Sequence, residues 1–196
     1  MRKILLLVSK GTEILEIAPF VDIIGWNSVV GKGNIILKIG GFHPIISNTW
    51  NLKIIPEINL EIEPLDVNEY EALVIPGGFG FRGFFEDMKK EKFKEIVREF
   101  YIKNKIIIGI CTGVIPLGEA GILEGRRATT YLYDNRRYFN QLTKYGAIPL
   151  EEELVIDRKI ITCSAPKNAI EAGFLLLSLL TDEENVKKVK YNMGFL

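Results

Sequence analysis

The sequence predicts an α/β fold with a mainly parallel sheet, and three observations lead to this prediction. Short apolar runs at residues 4–8, 72–75 and 106–108 suit strands that are buried on both faces of a sheet. Residues 14–26 are mostly apolar, and residues 91–103 place apolar side chains at helical spacing, so both segments are predicted helices. Strands that alternate with helices in this way indicate parallel βαβ units.

The other predicted elements in the first half are short and bounded by turn residues. A turn at Lys10-Gly11-Thr12 separates the first strand from the first helix. Residues 35–39 and 52–55 are predicted strands, with Gly40-Gly41 and Ser47-Asn48 marking the turns between them.

The second half continues the alternation of strands and helices. Residues 114–120 are predicted to form a helix after the strand at 106–108, despite Pro116 in its first turns. Asp157-Arg158 is the predicted turn of an antiparallel hairpin. The other predicted elements are a turn and short strand within 121–130, a helix at 135–145, hairpin strands at 154–156 and 159–162, and helices at 168–180 and 182–191.

The composition limits the class of protein. At 196 residues the chain suits one domain, residues 1–196, whose core needs no disulfide or metal. Lys and Arg together number 25, as do Asp and Glu, so we expect a small-molecule partner and neither nucleic acid nor a membrane. Two cysteines and one histidine are too few for a disulfide scaffold or a typical zinc site. The apolar run at 4–8 is too short for a signal peptide, so we expect a cytoplasmic protein.

Residues 109–113, Gly-Ile-Cys-Thr-Gly, follow a buried strand and precede a helix, which is the pattern of a nucleophile elbow. Gly109 and Gly113 let strand and helix approach closely while the Cys111 side chain projects from the turn. The amides at the helix N-terminus are expected to favour the thiolate of Cys111. The alternative is a buried structural cysteine, because cysteine is among the residues most often buried.

Further candidate residues follow the predicted strands at their carboxyl ends, where parallel sheets bind ligands. Glu16 lies between apolar residues, so burial should raise its pKa, whereas Glu13 is expected to face solvent. In the glycine-rich turn 76–80, the amide of Gly78 is predicted to form an oxyanion hole with the amide of Thr112. A bare tight turn is the alternative. A nucleotide site is disfavoured because the turn lacks the P-loop and dinucleotide motifs.

Two other segments contain polar candidates. The turn at 163–166, which includes Ser164, is expected at the same edge of the sheet as Cys111. His43 is interpreted as a surface or packing residue, because the sequence shows no acid–base partner near it.

The order of these motifs resembles the DJ-1/PfpI (ThiJ) superfamily over nearly the whole chain. The motifs that carry the resemblance are Lys10-Gly11 with Glu16, Pro76-Gly77-Gly78, Gly109-Ile110-Cys111-Thr112-Gly113, Gly125-Arg126-Arg127-Ala128-Thr129-Thr130 and Ala169-Ile170-Glu171. The resemblance implies a flavodoxin-like three-layer α/β/α sandwich of the class I glutamine amidotransferase type, without a cofactor and usually dimeric or larger. It also implies a reactive cysteine, here Cys111, whose thiolate is hydrogen-bonded by a glutamic acid, here Glu16.

Two positions depart from members of that superfamily. Its proteases have a histidine after the cysteine, where this chain has Thr112, and its glyoxalase- or deglycase-like members often have one where this chain has Tyr131. Tyrosine is a poor general base near neutral pH, and no His-x-Glu pair completes a glutaminase triad. The elbow is similar to that of isonitrile hydratases, in which a cysteine, the next threonine and an acid that is typically aspartate act together.

We therefore expect a cysteine-dependent hydrolase or lyase for a small electrophile, such as a reactive carbonyl or an isonitrile. The expected catalytic residues are Cys111, Glu16, Thr112 and Gly78, with Tyr131, Gly77 and Ser164 as secondary candidates. The alternative is a redox-sensing or protein-quality protein whose Cys111 is oxidised without turnover. An intracellular protease is disfavoured because the histidine after the cysteine is absent.

Overall fold

A central sheet organises residues 1–195, the part of the chain that the computed structural model describes. The strands are β1 (Arg2–Leu7), β2 (Ile35–Gly41), β3 (Ile46–Ser47), β4 (Lys53–Ile54), β5 (Ile58–Asn59), β6 (Tyr70–Ile75), β7 (Ile106–Ile110), β8 (Arg127–Ala128), β9 (Ile148–Pro149), β10 (Leu154–Asp157) and β11 (Ile160–Cys163). Seven of them form the central sheet, in the order β10-β11-β7-β6-β1-β2-β5. Its neighbouring strands are parallel except for β10 and β11, the predicted hairpin. The predicted α/β fold is confirmed.

Helices cover both faces of this sheet and complete three layers. They are α1 (Ala18–Val30), α2 (Phe84–Met88), α3 (Glu91–Ile102), α4 (Ile115–Glu119), α5 (Ala169–Leu180) and α6 (Glu183–Asn192). One apolar core includes Phe20 of α1 and Leu177 of α5, and the other includes Phe93 and Phe100 of α3. Within residues 1–195, every helix is too short or too polar to cross a lipid bilayer.

The parallel strands β1, β6 and β7 end at the same edge of the sheet. Ile75 at the end of β6 pairs with Gly109 of β7, and Ile110 pairs with Cys163 at the end of β11. The loops that follow these strands are joined as well, because Thr12 and Gly78 form an antiparallel bridge. This edge of the sheet therefore brings the predicted site residues together.

The first helix begins later than the sequence predicts. Ile14–Glu16 form a short 3₁₀ turn, and α1 starts at Ala18. Pro19 lies in the first turn of α1, where its missing N–H breaks no helical hydrogen bond and its fixed φ suits a helix start. Glu16 consequently lies in the 3₁₀ turn before α1, and from there its side chain reaches the Gly77 N–H.

Two further predicted elements differ from the structure. The strand predicted at 52–55 is β4, which pairs with β3 outside the central sheet. The helix predicted at 135–145 is reduced to a 3₁₀ segment, Phe139–Tyr145, because Asn135 and Arg136 have φ values of 52° and 59° that a right-handed helix excludes. The sequence pattern does not predict α2, β5 or β9, which are too short to show a periodicity.

Candidate active site

Cys111 occupies a strained turn between β7 and α4. Its φ of 54° lies in the left-handed region, which residues with a side chain rarely adopt and which is typical of a nucleophile elbow. A Cβ at Gly113 would lie 2.3 Å from the carbonyl oxygen of Ile75, and one at Gly109 would lie 2.9 Å from Leu117 Cδ1. Both glycines therefore permit the close packing that the sequence predicts around this turn.

Thr129 and Thr130 connect the segment after β8 to the elbow and to β11. The Thr130 hydroxyl donates to the Cys111 carbonyl oxygen at 2.6 Å, and the Thr129 N–H donates to Thr162 Oγ1 at 3.0 Å. Both threonines are fully buried. The segment after β8 is thus tied to the elbow and to β11. Although the residues lie in one of the family motifs, the sequence pattern does not connect them with the cysteine.

Cys111 borders a cavity of about 460 Å³ at the carboxyl edge of the sheet. The residue is 8% exposed and lines this cavity. Four other predicted site residues line the same space: Glu16, Gly78, Thr112 and Tyr131. The turn at 163–166 lies at the expected edge of the sheet, and its Pro166 lines the cavity. Ser164 itself does not line the cavity, because its hydroxyl is buried and bonds to Asn168 Oδ1 at 3.3 Å.

Glu16 is completely buried beside Cys111. Its Oε2 accepts a hydrogen bond from the Gly77 N–H at 2.5 Å, whereas Oε1 has no hydrogen-bond partner of good geometry among the described residues. Burial, with a smaller contribution from the charge of Glu13, raises the pKa of Glu16 to about 8, although hydrogen bonds from the Gly77 amide and the Cys111 thiol lower it. A proton on Oε1 would turn this unpartnered acceptor into a hydroxyl donor. Glu16 is therefore a carboxylic acid near neutral pH, and the predicted rise in its pKa is confirmed.

The pKa of the Cys111 thiol is raised, whereas its position at a helix N-terminus predicts a lowered pKa. Burial, followed by the negative charge of Glu16, raises the pKa of the Cys111 thiol well above its ordinary value. The Thr112 amide lowers this pKa, but by less. The expectation of a resting thiolate is wrong, because the α4 helix has only five residues and its amides do not offset the desolvation of the sulfur.

The predicted oxyanion hole is only partly available. The Gly78 N–H donates to Thr112 Oγ1 at 2.9 Å, and the Thr112 hydroxyl donates to the Gly78 carbonyl oxygen at 2.9 Å. This reciprocal pair occupies the Gly78 amide, so the prediction that it binds a substrate oxygen is wrong. The Thr112 amide remains directed at the sulfur and is the elbow amide that can stabilise developing charge. Thr112 thus also locks the glycine-rich turn to the elbow.

Glu13 is a cavity residue that the sequence places in solvent. It is only 8% exposed and lines the cavity with Glu16. Its Oε1 accepts a hydrogen bond from Trp50 Nε1 at 3.2 Å, and its N–H donates to the Gly77 carbonyl oxygen at 2.9 Å. The expectation of an exposed Glu13 is wrong because Trp50, from the loop between β3 and β4, covers it.

Aromatic side chains form much of the remaining cavity wall. They are Phe79, Phe81, Phe85, Tyr131 and Tyr138. Burial, with a smaller effect from the charge of Cys111, raises the pKa of Tyr131, so its hydroxyl is a neutral hydrogen-bond donor and not a base. The aromatic residues of the glycine-rich turn carry no recognisable motif, and the sequence pattern does not identify them as site residues.

His43 has a buried acidic partner outside the cavity. Its Nε2 lies 2.7 Å from Asp87 Oδ1, and the other oxygen of Asp87 accepts the Lys10 N–H at 3.0 Å. Asp87 is 2% exposed. The sequence shows no acid–base partner near His43 because Asp87 is 44 residues away. His43 does not line the cavity, so it remains a packing residue.

The second cysteine is separated from this chemistry. Cys163 is fully buried at the end of β11, and burial, with a smaller effect from the Glu16 charge, raises its pKa. It does not line the cavity. Among residues 1–195, no three side chains of His, Cys, Asp or Glu are arranged to share a metal ion.

Comparison with known proteins identifies relatives of this chain. The sequence model of the DJ-1/PfpI family matches residues 2–179. An uncharacterised protein of Methanocaldococcus jannaschii is 36% identical over 126 residues, 63% of this chain and 60% of that protein. The isonitrile hydratase of Pseudomonas putida is 27% identical over 152 residues, 78% of this chain and 61% of the hydratase. The deglycase PfpI of Pyrococcus furiosus is 29% identical over 110 residues, 56% of this chain and 62% of the deglycase. The chain thus matches about three fifths of the length of each relative.

Solved structures share the fold along the whole chain. Drosophila melanogaster DJ-1beta has a TM-score of 0.82 at 20% identity, with 100% of this chain and 98% of that chain covered. A ThiJ/PfpI family protein from Pseudomonas syringae has a TM-score of 0.82 at 22% identity, with 99% of this chain and 75% of that chain covered. At these identities the likeness shows the fold alone.

Proposed function

This chain belongs to the DJ-1/PfpI family, and on that premise we propose that it is a cysteine-dependent hydrolase or lyase for a small electrophile. The proposed substrates are reactive carbonyl compounds or isonitriles, whose electrophilic carbon can accept a sulfur nucleophile. The relatives named isonitrile hydratase and deglycase support this class. The observation that carries the proposal is the buried carboxyl of Glu16 beside Cys111 in the same cavity.

The first proposed step moves one proton within the Cys111–Glu16 pair. The ionised carboxyl of Glu16 accepts the thiol proton while Sγ forms a bond to the electrophilic carbon. In a carbonyl substrate, the π electrons of the C=O bond move to oxygen, and Glu16 returns the proton to that oxygen to give a hemithioacetal. In an isonitrile, Glu16 returns the proton to the terminal carbon to give a thioimidate.

Water completes both proposed reactions. In the isonitrile case, water adds to the thioimidate carbon, the C–S bond breaks, the thiol is restored and an N-substituted formamide leaves. In an α-dicarbonyl, the hydrogen on the hemithioacetal carbon moves to the neighbouring carbonyl carbon, and the hydroxyl proton moves to the oxygen of that carbonyl, which gives a thioester. Water then hydrolyses the thioester to a hydroxy acid and restores the thiol. Each route adds one molecule of water to the substrate, so neither requires an external oxidant or reductant.

The neighbouring residues have supporting roles in this proposal. The Thr112 amide is directed at the sulfur and can stabilise negative charge that develops there or on an adjacent atom. The Tyr131 hydroxyl lines the cavity and can donate a hydrogen bond to the substrate oxygen or nitrogen. Gly77 and Gly78 act through Glu16 and Thr112, because their amides are bonded to those side chains.

The test is turnover of methylglyoxal, benzyl isonitrile, an amide and an ester by the unmodified protein and by Cys111→Ala. We expect at least one substrate to lose at least about a hundredfold in kcat/KM in the variant, the minimum contribution of such a group. Cys163→Ala is the matched control and should retain the activity, since Cys163 is outside the cavity. Equal rates for unmodified protein and Cys111→Ala on every substrate would contradict the proposal.

A redox-responsive role is the second candidate, and the presence of Tyr131 at the position where deglycase-like enzymes carry a histidine favours it. Peroxide would oxidise the Cys111 sulfur to a sulfenic and then a sulfinic acid, while peroxide itself is reduced to water. A Glu16 proton would then hydrogen-bond to a sulfinate oxygen. Mass spectrometry after mild peroxide treatment distinguishes this role: sulfinate at Cys111 that is lost in Glu16→Gln supports it, and equal oxidation of both cysteines opposes it.

A further inference from the structure

Three aromatic side chains form a continuous exposed surface at the mouth of the cavity. We call Trp50, Phe79 and Phe81 the aromatic rim. The ring centroids of Trp50 and Phe79 are 5.8 Å apart, and those of Phe79 and Phe81 are 5.5 Å apart. The three residues are 59%, 40% and 73% exposed, respectively. Phe79 and Phe81 line the same cavity as Cys111, so the rim continues into the site.

The loop that carries Trp50 is held in place by hydrogen bonds. Asn48 Oδ1 accepts the N–H groups of Trp50 and Leu52, each at 2.9 Å. The Thr49 hydroxyl donates to the Gly11 carbonyl oxygen at 2.5 Å, and the Trp50 indole donates to Glu13 at 3.2 Å. These bonds fix the indole next to Phe79 although much of its surface is exposed. The rim is therefore a formed surface, whose rings need not be ordered by a ligand.

The charges of the cavity disfavour an anionic ligand. Glu13 and Asp134 supply acidic side chains, Glu16 keeps its proton near neutral pH, and Arg137 is the single cation among the described lining residues. Arg137 lies 4.0 Å from Asp134 and covers the ring of Tyr138 at 5.2 Å, so its charge is already directed to protein groups. The cavity lining outside the rim also contains aromatic residues, with Tyr131 and Tyr138 at a centroid distance of 6.4 Å. A substrate for this space should be neutral and apolar.

We propose that the site acts on neutral electrophiles whose reactive carbon is attached to a flat aromatic group, and that this group rests on the aromatic rim. The inference rests on the proposed function, for which it specifies the substrate class. Stacking on an exposed ring removes apolar surface from water and adds the favourable geometry of an aromatic pair. A small polar dicarbonyl gains neither the apolar burial nor the aromatic pairing. The rim therefore selects substrates by the group attached to the reactive carbon and not by the reactive group itself.

The binding test separates this inference from catalysis. Cys111→Ala protein is titrated by calorimetry with N-benzylformamide and with N-methylformamide, which share a polar group and differ in the ring. We expect the benzyl compound to bind about tenfold more tightly, and Phe81→Ala to remove about threefold to tenfold of that preference. Tyr191→Ala, which removes an exposed aromatic ring on α6, is the matched control and should leave the preference intact. Equal affinities for the two compounds would overturn the inference.

The turnover test compares pairs that share the reactive group: benzyl with methyl isonitrile, and phenylglyoxal with methylglyoxal. We expect a higher kcat/KM for the aromatic member, with the ratio reduced in Phe81→Ala and Trp50→Ala and unchanged in Tyr191→Ala. Turnover with equal ratios in all proteins would overturn the inference and leave the proposed function standing. A benzyl preference in binding without any turnover would support the binding of an aromatic group at the rim, but it would contradict both the proposed function and the action on aromatic electrophiles. A halved sedimenting mass of Phe81→Ala with unchanged ligand affinities would assign the rim to a second copy of the chain and overturn the inference.

Discussion

Cys111 and Glu16 act as one titrating pair, since a charge on either buried group disfavours a charge on the other. Burial raises the pKa of Glu16 to about 8 and raises that of Cys111 well above its ordinary value. Near neutral pH both groups therefore keep their protons. The reactive form appears when the pair loses its first proton, and it carries one negative charge whether that charge is on sulfur or on oxygen.

The pH dependence of activity tests this pairing. We predict that kcat/KM of the proposed reaction rises with pH around a midpoint of about 8, the pKa of Glu16. In Glu16→Gln this rise should vanish, and activity should fall by at least about a hundredfold because the proton carrier is lost. Initial rates measured across the pH range provide the check, with Glu119→Gln on α4 as a control outside the cavity. Matching profiles in unmodified protein and Glu16→Gln would refute the pairing.

The free energy of unfolding should depend on pH because of the same proton on Glu16. The pKa of Glu16 is about 8 in the folded protein against an ordinary value of 4.5, so the folded state holds a proton that the unfolded chain releases. The stabilising contribution is complete below 4.5 and is lost as the pH rises through about 8. The free energy of unfolding should fall by about 1.4 kcal/mol per pH unit within this window. Urea unfolding of Glu16→Gln should lack this component, and an identical slope in both proteins would contradict the prediction.

The residues that the sequence identifies correctly depend on local patterns. Cys111 is marked by its flanking glycines, and Glu16 by the apolar residues on both sides. Glu13 and Asp87 depend on distant partners instead, since Trp50 covers Glu13 from 37 residues away and Asp87 meets His43 across 44 residues. No local periodicity encodes such contacts. The use of the Gly78 amide by Thr112 is equally hidden, because it follows from the meeting of two loops.

The elbow between β7 and α4 packs closely against the end of β6. A Cβ at Gly113 would meet the Ile75 carbonyl oxygen at 2.3 Å, and backbone atoms cannot move aside as a side chain can. Gly113→Ala should lower the free energy of unfolding by about 1–3 kcal/mol. Gly109→Ala should cost less, because its Cβ meets the end of the Leu117 side chain at 2.9 Å and approaches backbone atoms only to 3.2 Å. Urea unfolding compares the two variants, and a Gly113→Ala protein as stable as the unmodified chain would disprove the packing argument.

The predicted elements agree with the structure where the chain is apolar and long enough to show a period. β6, β7, α3, α5 and α6 fall close to their predicted positions because burial of one face or both dictates their sequences. The prediction fails where single residues control the backbone. Pro19 delays the first helix, and the left-handed Asn135 and Arg136 prevent the helix predicted at 135–145. Such positions change the local conformation without changing the hydrophobic pattern.

At the scale of the molecule, strand order creates the site. β1, β6 and β7 are neighbours in the sheet although long stretches of sequence separate them. Their parallel pairing brings the turn of Glu16, the glycine-rich turn and the elbow to one edge. The sequence predicts this gathering through the general behaviour of parallel sheets. It does not predict the β3–β4 loop above the site, because that loop is placed by bonds to residues 11 and 12.

Self-association is a further proposal at this scale. Val21, Trp26 and Val29 are 41%, 39% and 78% exposed on α1, and a Cβ at the intervening Gly25 would meet no atom within 4 Å. We propose that this face of α1 contributes to a homodimer or larger assembly. Analytical ultracentrifugation should give the mass of at least two chains, and Val29→Glu should reduce it to one. Ile102→Glu, at an exposed position of α3, is the matched control, and a single-chain mass for the unmodified protein would contradict the proposal.

The protonation of Glu16 can be observed directly by infrared spectroscopy. Ordinary carboxyl groups are ionised at neutral pH, so a protonated carboxyl band there must come from a group whose pKa is raised. We predict one such band at neutral pH that disappears around pH 8, the pKa of Glu16, and that is missing from Glu16→Gln. A spectrum in which every carboxyl is already ionised at neutral pH would contradict the proposed acid beside Cys111 and the chemistry derived from it.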